Sequence, residues 1–584
     1  IYIIYKMKIN LAQIFQPKLV EIFKKREYNK EMFLSDLIAG IIVGIIALPL
    51  AIAFGIASGV SPQQGLITAV IAGFLVSFFG GSNFLIGGPT GAFIVIVYGI
   101  VSQFGMSGLI IATCLAGVML VLMGVFKLGT IIKFIPYPIV VGFTSGIAVV
   151  IFSTQMKDFF GLSIEKVPSE FISQWGAYFS NFGSLNPYET ALSIGCLLIC
   201  IFWVKINKKI PGSLIAIIVG TAASLLLSKY AGIEFATIGS KFPELAGGIE
   251  IPKPQTPSIT WEAVTKLFSP AFTIAILCAI ESLLAAIVAD GVTGKKHNSN
   301  TELIGQGIAN IVVPFFGGIP ATGAIARTMA NINNGGKTPV AGLIHAVVLL
   351  LIFIFLMPYA VYIPLGCLAA ILVMVAYNMS EWRTFKYLLK GEKSDVIVLL
   401  ITFFLTVIID LTVAIEIGLL LAVILFVKRV SETSSVKVLS TEIAATENDE
   451  TAQLPDTEHF DIPKGLEIYE IDGPFFFGLA SKLDEIDRDL GKRNILVRII
   501  RMRKVPFMDS TGIHNLESLW ARSKKEGVIT ILSGVTQKVE ATLIKSGMAN
   551  KIGRDHIFPH IVPAFDKAKS LIERINAGDI TVRP

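Results

Sequence analysis

Charge is scarce in this chain. Asp, Glu, Lys and Arg make up 16% of its 584 residues, against about 25% in an ordinary soluble domain, and mean hydropathy is +0.71. A wholly soluble protein is excluded, and most of the chain belongs in lipid. Histidine and cysteine are also few, six and five residues. No His-Glu-x-x-His pair and no Gly-x-x-x-x-Gly-Lys-Ser/Thr loop occurs, which argues against a zinc hydrolase and an ATP-driven pump. Neither enzyme activity nor a cofactor nor a metal is expected. All five cysteines sit in apolar runs; Cys196 and Cys200 share a helix face, but nothing nearby completes a metal site, so they read as buried thiols. The first residues lack the apolar core and small-residue cleavage site of a signal peptide, and Met7 reads as the start, with 1–6 as upstream sequence. The net charge of +6 is explained by membrane topology, and nucleic acid is not an expected partner.

What the chain has instead is apolar runs, at about 20 residues per crossing. They fall at 37–57, 65–79, 91–101, 109–126, 138–160, 190–204 and 213–227, then at 271–289, 303–316, 323–331, 340–356, 365–377, 396–409 and 412–427. A polar, proline-rich stretch with Pro243, Pro252, Pro254 and Pro257 separates the two sets. Loop charge tests the count. Lys127 and Lys133, Lys205 to Lys209, Lys295 and Lys296, Lys337, Arg383 to Lys393, and Lys428 with Arg429 all fall on the side of the basic N-terminus. The loops after runs 3, 9, 11 and 13 carry no Lys or Arg. The positive-inside rule then puts both termini in the cytoplasm of a multi-pass inner (plasma) membrane protein. The predicted fold is an α-helical bundle of fourteen spans, and an odd number per half makes the two sevens inverted repeats.

Two stretches interrupt the apolar pattern in matched positions: 87–92 (GGPTGA) and 317–324 (GGIPATGA). Proline removes a backbone donor and glycine frees φ, so neither continues a helix. Paired Gly/Pro breaks in the two halves point to a transporter's binding site; two kinks of similar composition are the plainer reading. Helices starting at both breaks would aim free N–H groups and positive dipole ends at one place, an anion site. The expected contacts are Thr90, Gly91, Ala92, Gly323, Ala324, Ile325, Ala326 and Arg327, the last adding a full charge unless it serves topology. Phe54 is a further candidate for lining the pocket, with packing as its alternative. Glu281 stands among Ile280, Leu283 and Leu284. A carboxylate there is costly, and one beside an anion site suggests a proton carrier; a buried structural acid is the alternative. Glu416, near Asp410, reads as a structural polar helix end.

Past Arg429 the composition turns polar and acidic, and 430–463 reads as a linker. Beyond it, apolar runs at 466–471, 495–500 and 528–532 alternate with helical patterns at 479–490, 513–525, 539–546 and 562–575, a small α/β domain. Within 508–512 (MDSTG), Asp509 and Ser510 join a strand to a helix and read as caps, with phosphorylation or partner docking as the functional alternative.

The stretches 47–54 (ALPLAIAF), 87–92, 136–143 (PYPIVVGF), 289–294 (ADGVTG), 302–307 (ELIGQG), 320–327 (PATGAIAR) and 335–339 (GGKTP) resemble the SulP family of inorganic anion transporters. The C-terminal part resembles the STAS domain, related to bacterial anti-sigma-factor antagonists. The resemblance implies core and gate domains, an elevator-like shift of the core, and a homodimer. Substrates in that family include sulfate, bicarbonate, chloride, oxalate and dicarboxylates. It divides the chain into a basic cytoplasmic N-terminus (1–35), a transporter domain (36–429), a linker (430–463) and a STAS domain (464–578) open to a cytoplasmic partner. Sodium-coupled bicarbonate members carry Asp, with Thr four residues later, where this chain has Glu281 and Ala285. The departure disfavours sodium and favours proton symport of a small anion. Uncoupled exchange or conduction, or sodium-coupled bicarbonate transport, is the alternative function, and the same fold also serves nucleobase permeases. In the anti-sigma antagonists the serine matching Ser510 is phosphorylated.

Overall fold

Capping side chains set where the helices begin. In this computed structural model Asn29 Oδ1 accepts from Met32 N and opens the first long helix. Ser61 and Gln64 form a reciprocal capping box, with Pro62 in the first turn, and open the second. Asn298 Oδ1 accepts from Asn300 N and Thr301 N at another start. Gly161, Gly232 and Gly294 end helices in the left-handed conformation. The structure describes residues 15–130, 136–165, 167–168, 170–206, 210–243, 260–409, 411–433, 435–438, 462–476 and 495–579. Two units result, Ile1–Ala422 and Val423–Pro584.

The first unit is helical. In its first half lie α1 (Lys18–Lys24), α2 (Lys30–Ala57), α3 (Pro62–Phe79), α4 (Ile94–Val125), α5 (Tyr137–Thr154), α6 (Met156–Phe160), α7 (Phe171–Ser180), α8 (Pro187–Ile206) and α9 (Gly212–Ala231). The second half holds α10 (Ile238–Lys241), α11 (Trp261–Thr293), α12 (Ser299–Val312), α13 (Ile325–Asn333) and α14 (Val340–Ala360). It continues with α15 (Leu365–Met379), α16 (Trp382–Leu388), α17 (Lys393–Ile408) and α18 (Leu411–Thr433). Each expected apolar run coincides with helix. Nine helices among the described residues are long and apolar enough to cross a membrane. Runs 3 and 4 form one helix, α4, kinked where Gly105 adopts φ 65°, ψ −169°. Run 5 breaks at Gln155 into α5 and α6. Run 9 stops at Val312, where Pro314 forces a 3₁₀ turn, Val313–Phe316.

The helices pack in two groups: α2, α3, α4, α11, α12, α13 and α14 in one, α5, α8, α9, α15 and α17 in the other. Lipid gives apolar helices no hydrophobic reason to associate, so close backbone approach at small residues carries the packing. At the α4–α12 crossing, a Cβ on Gly117 would stand 2.7 Å from Gly307 O, and one on Gly307 2.6 Å from Gly117 O. Gly142 and Gly146 let α5 approach Leu399 O and Thr406 of α17 in the same manner.

The second unit is an α/β sheet in the order β3 (Ser435–Val438), β4 (Leu466–Asp472), β5 (Val497–Lys504), β6 (Ile529–Ser533), β7 (Ile557–Phe558). Its first pair is antiparallel and the rest parallel. On one face Ile500 and Leu532 meet Leu516 of α19 (Ser510–Lys525), Val539 and Leu543 of α20 (Gln537–Lys545), and Met548 of α21 (Met548–Ile552). On the other, Ile499 and Ile531 meet Ala564, Phe565 and Leu571 of α22 (Ile561–Asn576). The expected helix at 479–490 lies outside the described residues. The stretch expected as linker needs correction: α18 runs to Thr433 and β3 pairs with β4, Ser435 opposite Asp472. Ser-Val-Lys-Val alternates as an edge strand should, and Val436 packs on the sheet's core; the acidic composition of the whole stretch hid this short signal.

Candidate functional site at the crossing of two glycine motifs

The two glycine–proline breaks meet. Gly87–Gly88 (β1) pairs antiparallel with Thr322–Gly323 (β2), Gly87 opposite Gly323 and Gly88 opposite Thr322. Ala324 N adds a further bond to Ile86 O at 3.1 Å. Because the strands run antiparallel, the helices that follow leave the crossing in opposite directions with their N-termini toward it. One starts with the 3₁₀ turn Gly91–Phe93 and continues as α4; the other is α13. Neither Thr90 nor Ala324, the capping positions, closes its own helix with a side chain. The first N–H groups of both helices therefore lack intrahelical acceptors.

Helix α11 holds both strands through two adjacent residues. Thr90 Oγ1 donates to Glu281 Oε2 at 3.1 Å, while Gly323 N donates to Ser282 Oγ at 3.1 Å. Ser282 Oγ lies 2.6 Å from Thr322 Oγ1, which donates to Cys278 O at 3.1 Å. Since Thr322 has one proton and the Cys278 carbonyl only accepts, Ser282 is the donor to Thr322. From α12, Asn310 brackets the second strand: Ala321 N donates to its Oδ1 at 2.9 Å, and its Nδ2 donates to Ala321 O at 2.8 Å. Thr68 Oγ1 accepts from Ile319 N at 2.8 Å.

Arg327 is buried and turned toward the first motif. Its Nη2 donates to Pro89 O at 2.6 Å and its Nη1 to Gly87 O at 3.4 Å. Two neutral carbonyls satisfy donors without cancelling charge, so a positive field remains at the crossing. Gly88 makes this possible: at φ +148°, any Cβ there would collide with Arg327 Nη1. From the same helix Thr328 Oγ1 accepts from Ile86 N, and Asn331 Nδ2 donates to Phe84 O at 3.0 Å.

The residues expected at the site divide into four sets. Thr90, Gly323, Ala324, Arg327 and Glu281 are brought together at the crossing. Gly91 and Ala92 are buried, and a Cβ on Gly91 would stand 2.7 Å from Met379 Sδ of α15, where the two helix groups touch. Ile325 and Ala326 are exposed in the first turn of α13. Phe54 is buried in α2 and takes no part in the hydrogen-bonded set. Glu281 is half-buried, partnered by Thr90 and not by Arg327. Ala285, one turn on, is buried among Ala72, Val76, Leu85 and Val313 and offers no oxygen. Glu416 accepts from Ser269 Oγ at 3.0 Å. In the second unit Asp509 Oδ1, not Ser510, caps α19 by accepting from Gly512 N at 2.7 Å, and Ser510 is exposed.

Sequence reasoning missed Ser282, Thr322, Asn310 and Thr68. The signal available was that Ser282, Asn310 and Thr68 are polar residues inside apolar runs, Ser282 next to Glu281, and that Thr322 stands in the second break itself. The stretches 302–307 and 335–339 acquire structural roles. Glu302 Oε2 accepts from Gly81 N and Ser82 N at 2.9 and 3.1 Å, fixing the turn before the first crossing strand. Asp36 Oδ1 accepts from Lys337 N at 2.7 Å and Thr338 N at 3.1 Å, pinning the 335–339 loop to α2.

Comparison with known proteins agrees with this architecture. Residues 33–402 match the Sulfate permease family and residues 459–564 the STAS domain. YvdB of Bacillus subtilis (strain 168) is 41% identical over 533 residues, covering 91% of this chain and 97% of its own length. The bicarbonate transporter BicA of Picosynechococcus sp. is 32% identical over 481 residues, 78% of this chain and 80% of that protein. The structure of murine Slc26a9, an anion transporter in the inward-facing state, superposes with a TM-score of 0.84 over 97% of this chain and 95% of that one. At 20% identity that is a likeness of fold. The chain belongs to the sulfate permease (SulP) family, as a multi-pass α-helical membrane transporter with a C-terminal STAS domain.

Proposed function

We propose that this protein is a secondary transporter of a small oxyanion of the sulfate, bicarbonate or dicarboxylate class, bound at the crossing of β1 and β2. One observation carries the reading: two helix N-termini and the Arg327 guanidinium, bonded to two neutral carbonyls, converge on a place that the Glu281 carboxylate borders through Thr90. Backbone donors and a fixed cation attract an anion, and a protonated Glu281 removes the one opposing charge. Proton and anion would therefore enter together, as symport. The site then travels with the α2–α4 and α11–α14 group against the other helices, an elevator motion, in a homodimer with fourteen spans and cytoplasmic termini in the plasma membrane. The exposed Ser510 and the STAS domain offer a cytoplasmic partner a regulatory handle.

The test is uptake by proteoliposomes holding the full chain, with sulfate, bicarbonate and fumarate competing in one assay. A single preferred anion supports the reading, and no uptake of any of them overturns it. The Thr90 hydrogen bond also gives Glu281 a purely structural occupation, which favours uncoupled exchange as the second reading. Counterflow that ignores an imposed pH gradient would select it.

A further inference from the structure

Away from the crossing, a second set of buried oxygens converges where α8 begins. Glu189 and Ser193 lie one helical turn apart on α8, 4% and 0% exposed. Glu189 Oε1 accepts from Ala236 N at 2.6 Å, but Glu189 Oε2 and Ser193 Oγ have no hydrogen-bond partner. Both aim at Gly366 in the first turn of α15. A Cβ there would collide with Ser193 Oγ and stand 3.3 Å from Glu189 Oε2 and 3.5 Å from the Asp158 carbonyl of α6. Glycine thus keeps a cradle open that any other residue would fill. Four segments meet around it, because Leu365 N donates to Ala236 O at 2.8 Å and Thr237 bridges to Pro364.

Burying one unpaired carboxylate oxygen and one unpaired hydroxyl is expensive unless something binds between them. The ligands on offer are hard oxygens only: a carboxylate, a hydroxyl and a carbonyl, which suits an s-block cation and not a soft metal. The formal charge sets the valence. The Asp158 carboxylate is engaged by Lys241 Nζ at 3.5 Å, leaving Glu189 as the one uncompensated negative charge. The geometry points to a binding site for a small monovalent cation, Na⁺ in size and hardness, held by Glu189, Ser193 and the Asp158 carbonyl. It ties α8, α6, the 236–239 loop and the start of α15 together, within the helix group that does not carry the crossing. The site is separate from the transported anion and from Glu281, so it stands whether or not the transport reading holds.

The experiment is ²²Na⁺ binding to the purified full-length protein in N-methylglucamine buffer at constant ionic strength. Wild type is expected to bind saturably. Ser193→Ala should weaken binding about tenfold by removing one ligand, and Gly366→Ala, which fills the cradle, should abolish it, as should Glu189→Gln. Glu281→Gln should bind as wild type does. Absence of binding to wild type overturns the inference. So does Ser193→Ala binding like wild type, and so does loss of binding in Glu281→Gln, which would put the ion at the crossing. Should Glu189→Gln or Gly366→Ala fail to fold, Ser193→Ala decides, since it removes only a hydroxyl that has no protein partner.

Discussion

Replacing Gly88 by alanine perturbs the crossing at its narrowest point. At φ +148° the backbone occupies a region that side chains rarely tolerate, a cost of about 1–3 kcal/mol. The new methyl would also occupy the space of Arg327 Nη1 and lie 3.1 Å from its Cζ. The guanidinium must then leave Pro89 O, now 2.6 Å away, and a charge-assisted bond of this kind contributes about 1.5–3 kcal/mol. Together the two effects remove about 2.5–6 kcal/mol from the site-competent conformation, equivalent to a loss of about a hundredfold to ten-thousandfold in initial uptake rate. The assay is uptake of the preferred radiolabelled anion into proteoliposomes, normalised to reconstituted protein. Gly99→Ala is the matched control: nothing lies within 4 Å of its Cβ position in α4, and alanine favours a helix interior over glycine by about 1 kcal/mol. If Gly88→Ala transports like Gly99→Ala, the crossing is not the site.

Other consequences follow from contacts elsewhere. Asn310→Ala leaves the Ala321 N–H buried and unpaired and its C=O with only the weak thiol donor of Cys278, at about 1–3 kcal/mol for the N–H; anion affinity and thermal stability should fall together. Gly307→Leu forces α4 and α12 apart where each helix meets the other's backbone, and size-exclusion chromatography should show little folded protein, while Gly307→Ala, costing about 1–3 kcal/mol, should fold with a lowered Tm. In the second unit, Arg498 Nε donates to Glu467 Oε2 at 2.9 Å with both side chains buried. Arg498→Ala should cost that unit about 3–5 kcal/mol, visible as faster hydrogen exchange in β4, β5 and β6.

Much of the helical unit was readable because lipid makes the sequence signal strong. Apolar runs bounded by Gly, Pro and basic residues mark the long helices of this unit, though not the short α1, α7, α10 and α16, and the two breaks are legible because glycine and proline interrupt a helix. What escaped were pairings between residues far apart in the chain. Arg327 was legible as a charge, but nothing local says that it reaches Pro89 O, 238 residues earlier. Glu302 was seen only inside a motif and Asp36 not at all, because their acceptor roles require loops from the opposite half of the chain. Ser282 escaped because a serine in a helix ordinarily bonds its own backbone, and here it serves Thr322 and Gly323 instead. The kink at Gly105 was mistaken for a loop between two helices, since glycine signals a break without saying whether the helix resumes.

The role of Glu281 is settled most directly by Glu281→Gln in proteoliposomes with an inwardly directed proton gradient. Glutamine keeps the carbonyl that accepts from Thr90 and cannot release a proton, so it separates structure from coupling. Wild type should concentrate the anion inside while the gradient lasts; Glu281→Gln should equilibrate it and still catalyse exchange. Accumulation by Glu281→Gln at the wild-type level would contradict proton coupling through this residue.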